Sequence, residues 1–344
     1  MYRFAGWRRN ADTAWRSEAP YHTLQQALKD LDRAYKNFFA QRADFPTFKE
    51  KGRSDSFRFP DPKQIKLDQA NSRIFLPKLS WVRYRNSREA LGDLKNVTVS
   101  LSAGKWFISI QTERQVEKLV AHGEAVGIDV GIVRFVTLSD GTVCEPFSSF
   151  SQHRDQLRKA QQAMSRKKKF SSNWKWAKAK VQRIHVRIAN VRRDYLHKAS
   201  TTISKNHAMV FVEDLKVSNM SRSAAGTVEQ PGRKVRAKTG LNRSILDQGW
   251  AEFRRQLEYK LTWAGGQFMD VPPQNTSRSC PQCGQVSKDN RKSQARFFCV
   301  ECGDEENAGL VAAINIKRAK YARLAGQVNC EVSSQQQEPT ERAA

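Results

Sequence analysis

Two pairs of cysteines constrain the C-terminal third of this 344-residue chain more than any other feature. Each pair has two residues between its cysteines, and fifteen residues separate the pairs, which are Cys280 with Cys283 and Cys299 with Cys302. Four thiolates at this spacing close a tetrahedron around zinc and leave no open position, so the predicted zinc is structural. Disulfides are the alternative. The polar, Arg-rich N-terminus lacks the apolar segment of a secretion signal, so we expect a reducing, cytoplasmic location and favour zinc.

The charge balance predicts a polyanionic partner. Sixty Lys and Arg side chains face 34 Asp and Glu, which gives a formal net charge of +26. Nucleic acid fits this charge best, and an anionic membrane is the second kind of partner to consider. However, the chain has no run of eighteen apolar residues and no long basic helix with a bulky apolar face. We therefore expect nucleic acid as the partner and no membrane association.

Hydrophobic periodicity predicts alternating helices and strands. Apolar residues spaced by three and four predict helices at 24–39, 151–205, 244–263 and 308–324. Period-two patterns and short apolar runs predict β structure at 57–115, 126–138, 207–212 and 267–271. Residues 217–243 show no periodicity and are rich in Ser, Gly, Lys and Arg, so we predict a mobile loop there.

A strongly basic helical segment is the best candidate for contact with phosphates. Residues 154–198 hold fifteen Lys or Arg and only two acids, whereas a merely solvated helix face usually mixes both signs. With a second basic stretch near residue 50, the predicted phosphate contacts are Lys49, Lys51, Arg53, Lys167, Lys168, Lys169, Arg192 and Arg193. Trp81, Tyr84 and Trp106 are candidates for base stacking, although aromatic residues at strand spacing also suit a core.

Two acids on predicted strands are the candidate catalytic residues. Asp129 lies within the strand Val126–Val130, and Glu213 follows the short apolar strand that ends at Val212. Clustered carboxylates in a basic protein are typical of Mg²⁺ sites that cleave phosphodiesters. A turn acid and a helix-capping acid would also account for these residues, and spacing alone leaves both interpretations open.

Several segments, which occur along the chain in the same order as in the family, resemble the TnpB family. This family comprises RNA-guided DNA endonucleases that are encoded by insertion sequences and are related to type V CRISPR effectors. The segments are Gly127-Ile-Asp-Val-Gly131, Val212-Glu-Asp-Leu215, Asn275-Thr-Ser-Arg-Ser-Cys-Pro-Gln-Cys-Gly284 and Ala312-Ala-Ile-Asn-Ile316. The resemblance implies a guide RNA derived from the transposon end and a double-stranded DNA target. It also implies an α+β multidomain fold, in which a wedge-like β barrel and helical recognition elements accompany an RNase H-like RuvC domain with an inserted four-cysteine zinc ribbon.

The resemblance also implies domain boundaries. A helical recognition element would span 1–56 and the wedge-like barrel 57–120. The remaining predicted parts are a RuvC-like domain at 121–274 with a basic helical hairpin at 151–205, the zinc ribbon at 275–306, the final RuvC helix at 307–326 and a disordered tail at 327–344.

Two departures from the family pattern bear on activity. Asp129 and Glu213 match the first two RuvC acids, but Gly309 stands where the third belongs, and glycine offers no ligand to a cation. Glu305 and Glu306 could replace it only if the final helix began early enough to place them on its face. Mg²⁺ binding at Asp129 and Glu213 is therefore doubtful, and we expect little or no cutting. The segment before Leu24 is also shorter than in the family, which puts recognition of the flanking DNA motif in question.

Three functions remain open from the sequence. The first is an RNA-guided DNA-binding protein with a degraded nuclease site that represses transcription by occupying its target. The second is an active Mg²⁺-dependent RNA-guided endonuclease of a transposon that uses a displaced acid. The third is a zinc-ribbon module that binds DNA or RNA without a guide. A relic without function is the remaining alternative.

Overall fold

The computed structural model describes residues 12–13, 17–48, 50, 52, 55–117 and 119–319, and it divides into two compact units, 1–117 and 118–344. The predicted tail at 327–344 lies outside the described residues. No helix among the described residues is long and apolar enough to cross a membrane.

The first unit combines one helix with two small antiparallel sheets. Helix α1 (Tyr21–Phe39) follows Pro20, and it begins three residues before the predicted segment. The strands are β1 (Ser56–Phe59), β2 (Lys66–Asp68), β3 (Arg73–Leu76), β4 (Ser80–Arg83), β5 (Asp93–Ser102) and β6 (Lys105–Glu113). They form two three-stranded sheets with the orders β1-β5-β6 and β2-β3-β4.

Both sheets contribute to one core, since Ile74 and Leu76 of β3 are buried together with Phe59 of β1 and Val97 of β5. Alternating burial along β3 explains why the period-two pattern predicted strands here. A closed barrel, which the resemblance predicted, is not seen among the described strands, whose pairing ends within each sheet.

The second unit is built on a mixed five-stranded sheet. Its strands are β7 (Ala125–Val130), β8 (Val136–Leu138), β9 (Val143–Cys144), β10 (Met209–Glu213) and β11 (Gln267–Val271), in the order β11-β10-β7-β8-β9. Strands β7, β8 and β9 form an antiparallel meander, whereas β10 runs parallel to both β7 and β11. The carboxyl ends of β7 and β10 therefore lie at the same edge of the sheet.

Helices cover this sheet and extend beyond it. They are α2 (Ser149–Ser165), α3 (Ser172–Asn206), α4 (Val217–Met220), α5 (Val235–Gln248), α6 (Trp250–Trp263) and α7, which spans 308–319 within the described residues. The loop predicted over 217–243 is confined to 221–234, because α4 precedes it and the first nine residues of α5 follow it within the predicted range. The helix predicted from 244 to 263 is instead two helices, which Gly249 separates with its positive φ of 72°.

Two hydrophobic clusters hold the helices in place. Strands β7, β8 and β10 pack against α3, α5 and α6 through fully buried side chains such as Ile128, Phe135 and Leu257. Helices α2 and α3 form a hairpin with a separate core of Leu157, Ala160, Val181, Ile184 and Ile188. Val181, Ile184 and Ile188 belong to the apolar pattern that predicted helix over 151–205, whereas the hairpin itself was implied by the family resemblance.

Candidate metal-binding sites

The sheet brings the two predicted acids together at one edge. Asp129 lies near the end of β7, where it pairs with Thr137 of β8. Glu213 is the last residue of β10, one position beyond the Val212–Ile128 pair that joins β10 to β7. Because the two strands are parallel neighbours, both carboxylates emerge at their carboxyl ends.

Burial raises the pKa of both carboxyl groups, and the charge of Glu213 adds to the effect on Asp129. Burial, and then the negative charge of Glu213, raise the pKa of Asp129 to about 7. Burial also raises the pKa of Glu213, against the opposing effect of a hydrogen bond that the Thr276 hydroxyl donates to it. Two carboxyl groups whose ionised forms are destabilised in this way are typical of sites that hold a cation between them.

Gly309 lies directly beside this acid pair. A Cβ atom at position 309 would lie 3.4 Å from Oδ2 of Asp129 and 3.1 Å from Oγ1 of Thr137. The side chain of Asn307 caps the start of α7, because its Oδ1 accepts a hydrogen bond of 3.1 Å from the Gly309 amide. Position 309, where the family resemblance predicts a third acid, therefore lies next to Asp129 and provides no carboxylate.

The two acids considered as replacements point elsewhere. Strand β13 (Glu305–Asn307) forms a hairpin with β12 (Arg296–Phe298), so α7 does not extend back to either glutamate. Glu305 forms an ion pair of 2.6 Å with Arg296. The Glu306 carboxylate is exposed and accepts a hydrogen bond from the amide of Asn307. Neither glutamate contributes to the electrostatic environment of the acid pair.

Sequence reasoning did not single out three residues of this centre. The guanidinium of Arg291 lowers the pKa of both Asp129 and Glu213, which opposes the effect of burial. Thr276 is buried and donates to Glu213, and Thr137 lies against Gly309, with its Oγ1 3.1 Å from the place of a Cβ atom there. Thr276 stands within the Asn275-Thr-Ser-Arg segment that carried the family resemblance. Arg291 has no local signal, because it comes from a polar stretch between the cysteine pairs.

The four predicted cysteine ligands converge on one point. Their sulfur atoms lie within 4.8 Å of one another, with Cys280 Sγ 3.6 Å from Cys302 Sγ and Cys283 Sγ 3.5 Å from Cys299 Sγ. Sulfurs around a tetrahedral zinc at the usual Zn–S bond length would be about 3.8 Å apart. These cysteines form no disulfide, and the donor set fits a metal ion that prefers thiolates.

Two equivalent turns shape the cysteine cluster. The amide of Gly284 donates to Cys280 O and that of Gly303 to Cys299 O, each at 3.0 Å, and both glycines have positive φ. Backbone amides near the thiol lower the pKa of Cys299 to about 7. Fully buried Asn290 then joins the turns, since it donates to Arg278 O and accepts from the Val300 amide. The ribbon is therefore shaped by its own backbone to present four sulfurs.

A buried asparagine connects the ribbon to the acid centre, which is the pair Asp129 and Glu213 with the side chains around it. The side-chain amide of Asn315, on α7, donates to Thr276 O at 2.8 Å and to Ser279 O at 2.7 Å. Thr276 in turn bonds to Glu213. The segment that enters the ribbon is thereby held against the same edge of the sheet as the two acids.

The predicted phosphate contacts are distributed over different parts of the chain. Lys49, Lys51 and Arg53 lie outside the described residues. Lys167, Lys168 and Lys169 are exposed in the turn between α2 and α3. Arg193 is exposed as well, whereas Arg192 is half-buried and lies 3.6 Å from the buried carboxylate of Asp247. Of the stacking candidates, Trp81 and Trp106 are exposed and Tyr84 packs against the core of the first unit.

Two family models match parts of this chain. A model described as a probable transposase, OrfB_IS605, matches residues 107–224. A second, described as the Cas12f1-like TNB domain, matches residues 250–316. The first match includes both acids, and the second includes the four cysteines and Gly309.

Relatives with similar sequences cover nearly the whole chain. A protein of Escherichia coli K12 whose name describes an RNA-guided DNA endonuclease, InsQ, is 57% identical over 97% of this chain and 83% of its own length. A protein of Streptomyces pristinaespiralis with the same kind of name is 33% identical over 93% of this chain and 76% of its own length.

One solved structure has a similar fold. A Cas12f1 protein, determined by electron cryomicroscopy as a complex with single-guide RNA and target DNA, aligns with a TM-score of 0.51 at 15% sequence identity. The alignment covers 90% of this chain and 76% of that one. At this identity the likeness concerns the fold, which is a multidomain α+β architecture with mixed sheets.

Proposed function

This chain belongs to the TnpB family of RNA-guided DNA endonucleases, and from that membership we propose that it binds DNA under the direction of an RNA guide but cuts it little or not at all. The observation that carries the second half of the proposal is the position of Gly309. A Cβ atom at this position would lie 3.4 Å from Oδ2 of Asp129, and the family has an acid there. The acid centre therefore has two of its three expected ligands.

The fold supports assignment of the second unit to a RuvC-like domain. An antiparallel meander flanked by two parallel strands, in the order β11-β10-β7-β8-β9, is the arrangement expected of an RNase H-like sheet. In that fold the catalytic acids lie at the ends of the two central strands and on the final helix. The strands are β7 and β10, and α7 is the helix that carries Gly309.

The remaining ligands suit one divalent cation better than two. Asp129 and Glu213 offer carboxylate oxygens to Mg²⁺, which when bound would activate water and stabilise the leaving oxygen. Two ions about 4 Å apart need oxygens on several sides. At position 309 the polypeptide supplies none, and Glu305 is committed to Arg296. Asp129 and Glu213 would hold and orient a single ion, but they would not hold a second ion beside it.

The ribbon is proposed to hold structural zinc. Four thiolates satisfy the ion completely, so it would stabilise the fold of the ribbon rather than activate a substrate. Its proposed role is mechanical, because it supports Arg291 and Thr276 next to the acid pair.

Partners and location follow from the family. The relatives are named for RNA guidance, and the similar solved structure holds guide RNA and target DNA. We propose the same two partners here, with the guide transcribed from the transposon end and the protein in the cytoplasm. If the target lies in a promoter, stable occupancy would exclude RNA polymerase, and the protein would act as a transcriptional repressor.

A direct test starts from the complex formed in cells. The full chain is purified, its bound RNA is sequenced, and a plasmid that carries the matching target is offered with and without Mg²⁺. The proposal predicts tight binding to the matched plasmid and no cleavage above the level of Asp129→Ala. Equal affinity for matched and unmatched DNA, with no RNA in the preparation, would instead identify a guide-free binding module.

An active endonuclease is the second candidate, and the 57% identity to InsQ favours it. Cleavage would then depend on Asp129 and Glu213 with help from Arg291, whose charge reaches both acids. Linearisation of the matched plasmid by the wild-type chain, lost in Asp129→Ala, would establish this function and refute loss of cutting. Binding without linearisation would exclude it.

A further inference from the structure

The tip of the α2–α3 hairpin combines an unbroken positive charge with exposed aromatic rings. Residues 156–193 contain thirteen Lys or Arg and no acid. Within this segment Trp176 is 73% exposed and Phe170 is 67% exposed. A single exposed ring needs no explanation, but rings that stand among cations without nearby acids are a combination typical of sites for single-stranded nucleic acid.

Neither exposed ring is needed to hold the hairpin together. The core between α2 and α3 is built from aliphatic residues at Leu157, Val181 and neighbouring positions, and it includes neither Phe170 nor Trp176. Phe170 also has a φ of +69°, a conformation that is unfavourable for a bulky side chain. The chain thus maintains an exposed phenylalanine at a strained turn, although glycine would fit that backbone better.

The rings and the cations are arranged on two sides of α3. On one side Phe170 contacts Trp174 edge to face at 5.6 Å, and the ammonium groups of Lys169 and Lys178 lie over these rings at 5.1 and 5.2 Å. Trp176, two residues further along the helix, projects from the opposite side. Exposed Lys180 and Arg183 follow it by four and seven residues and so share its face.

The face around Trp176 therefore offers one flat apolar surface and two cations. No ion pair is seen for Lys180 or Arg183 within the described part of the chain. An indole face stacks on any nucleobase, and cations that follow it along the helix bind the phosphates next to that base. An acidic protein segment would use the cations but would gain little from an isolated indole surrounded by charge.

We propose that this face is a binding site for an unpaired nucleobase, in which Trp176 stacks on the base while Lys180 and Arg183 bind the flanking phosphates. The site requires a strand that is single-stranded or frayed at that point, because a base inside a duplex has no free face. The inference rests on nucleic-acid binding as proposed above, but it requires neither a particular guide nor DNA cleavage.

The test uses the full chain and fluorescent duplexes of defined ends. The probes are a blunt RNA duplex, the same duplex with an unpaired adenosine overhang, and the overhang with its bases removed to leave abasic sugar-phosphate. DNA versions of all three distinguish a guide-RNA source from a target-strand source. Trp176→Ala is compared with Trp263→Ala, which removes an equally exposed tryptophan (71%) from α6, outside the acid-free segment.

The proposal predicts a base-specific loss of affinity. Trp176→Ala should weaken binding to the overhang duplex about tenfold, which is a typical effect for one stacked base, and should leave abasic and blunt probes unaffected. Trp176→Phe should keep most of the affinity, and Trp263→Ala should match the wild type. Lys180→Ala should weaken the overhang and abasic probes alike, because both keep the phosphates, and should lower the slope of log affinity against log salt concentration by about one for these two probes.

Several results would overturn the site. They are unchanged overhang binding in Trp176→Ala, an equal loss on abasic and overhang probes, and displacement of the overhang probe by polyglutamate as readily as by RNA. In any of these cases guide-directed binding to a matched plasmid would still be measurable, so the proposed function would stand. If the wild-type chain bound none of the probes, the Trp176 site would be refuted, and the matched-plasmid test would decide the proposed function separately.

Discussion

At the scale of single residues, the absence of one side chain has the largest chemical consequence. Gly309 occupies the first turn of α7, and the atoms nearest to its missing Cβ are Oγ1 of Thr137, Oδ1 of Asn307 and Oδ2 of Asp129, at 3.1 to 3.4 Å. These are oxygens, so the surroundings remain suited to a cation. Under the proposed function, the third carboxylate is the one ligand that this position lacks.

Restoring that carboxylate is expected to restore cleavage. In Gly309→Asp the new side chain would extend from beside Asp129, complete the acid triad and raise Mg²⁺-dependent cutting of a guide-matched plasmid by orders of magnitude. Its Cβ atom would require the Thr137 and Asn307 side chains to give way by a few tenths of an ångström. Gly309→Asn, of the same size but without charge, is the matched control and should stay inactive. A Gly309→Asp protein that binds matched DNA yet never cuts would show that the centre has lost more than one acid.

A second glycine determines whether α7 can approach the sheet. A Cβ atom on Gly127 would lie 2.1 Å from the carbonyl oxygen of Ala313, which is backbone and cannot move aside. Gly127→Ala should therefore lower the free energy of unfolding by about 1–3 kcal/mol or more in urea titration. The control is Gly240→Ala, since Gly240 lies inside α5 with open space around it and should gain about 0.5–1 kcal/mol. If both variants lost stability equally, close approach at Gly127 would not be the cause.

At the scale of elements, the ribbon is the part that depends most on a ligand. Strands β12 and β13 have three residues each, and their buried cluster consists of Phe297, Ala308, Val311 and two of the cysteines. So small an apolar core cannot stabilise the ribbon without a crosslink or a metal. Because Asn315 and Thr276 connect the ribbon to α7 and to Glu213, melting of the ribbon would reach the acid centre.

Removal of one thiolate is expected to release the metal and unfold the ribbon. Wild-type protein should contain about one zinc per chain by elemental analysis, and Cys299→Ser should contain little and become sensitive to protease between residues 275 and 306. Cys144→Ser is the control, because Cys144 lies on β9, away from the four clustered cysteines. The Cys144→Ser protein should retain its full metal content. A Cys299→Ser protein with undiminished zinc and protease resistance would contradict the assigned ligand set.

At the scale of the whole molecule, charge determines how the protein meets its partner. A net charge of +26 gives strong long-range attraction to nucleic acid, and the acid-free part of the α2–α3 hairpin concentrates much of it on one element. The α3 helix has 35 residues and is therefore about 50 Å long, so its cations can follow a duplex backbone over more than one turn.

Binding to matched DNA should weaken steeply with salt. If six to ten phosphates are neutralised, affinity should fall by roughly 10³ to 10⁵ between 50 and 200 mM salt. Replacing Lys167, Lys168 and Lys169 together by alanine should reduce the slope, whereas substitution of Lys36, which pairs with Asp32 on α1, should not. Affinity independent of salt would exclude phosphate contacts as the main source of binding.

Sequence alone determined the features that depend on local spacing. The cysteine cluster and the two strand-borne acids follow from short motifs and apolar runs, because a turn or a strand is specified by residues close in the chain. The third acid expected at position 309 and the hairpin at 151–205 came instead from the family resemblance. The first part of α5 has two basic residues among its first four positions, and it was mistaken for a loop.

Tertiary structure decided which distant residues share a site. Gly309 is 180 positions from Asp129, and only the close approach of α7 to β7 at Gly127 brings them together. Arg291 and Thr276 reach the acids because the ribbon folds back onto the sheet through Asn315. Such proximity depends on packing between elements far apart in sequence, and no local pattern of residues encodes it.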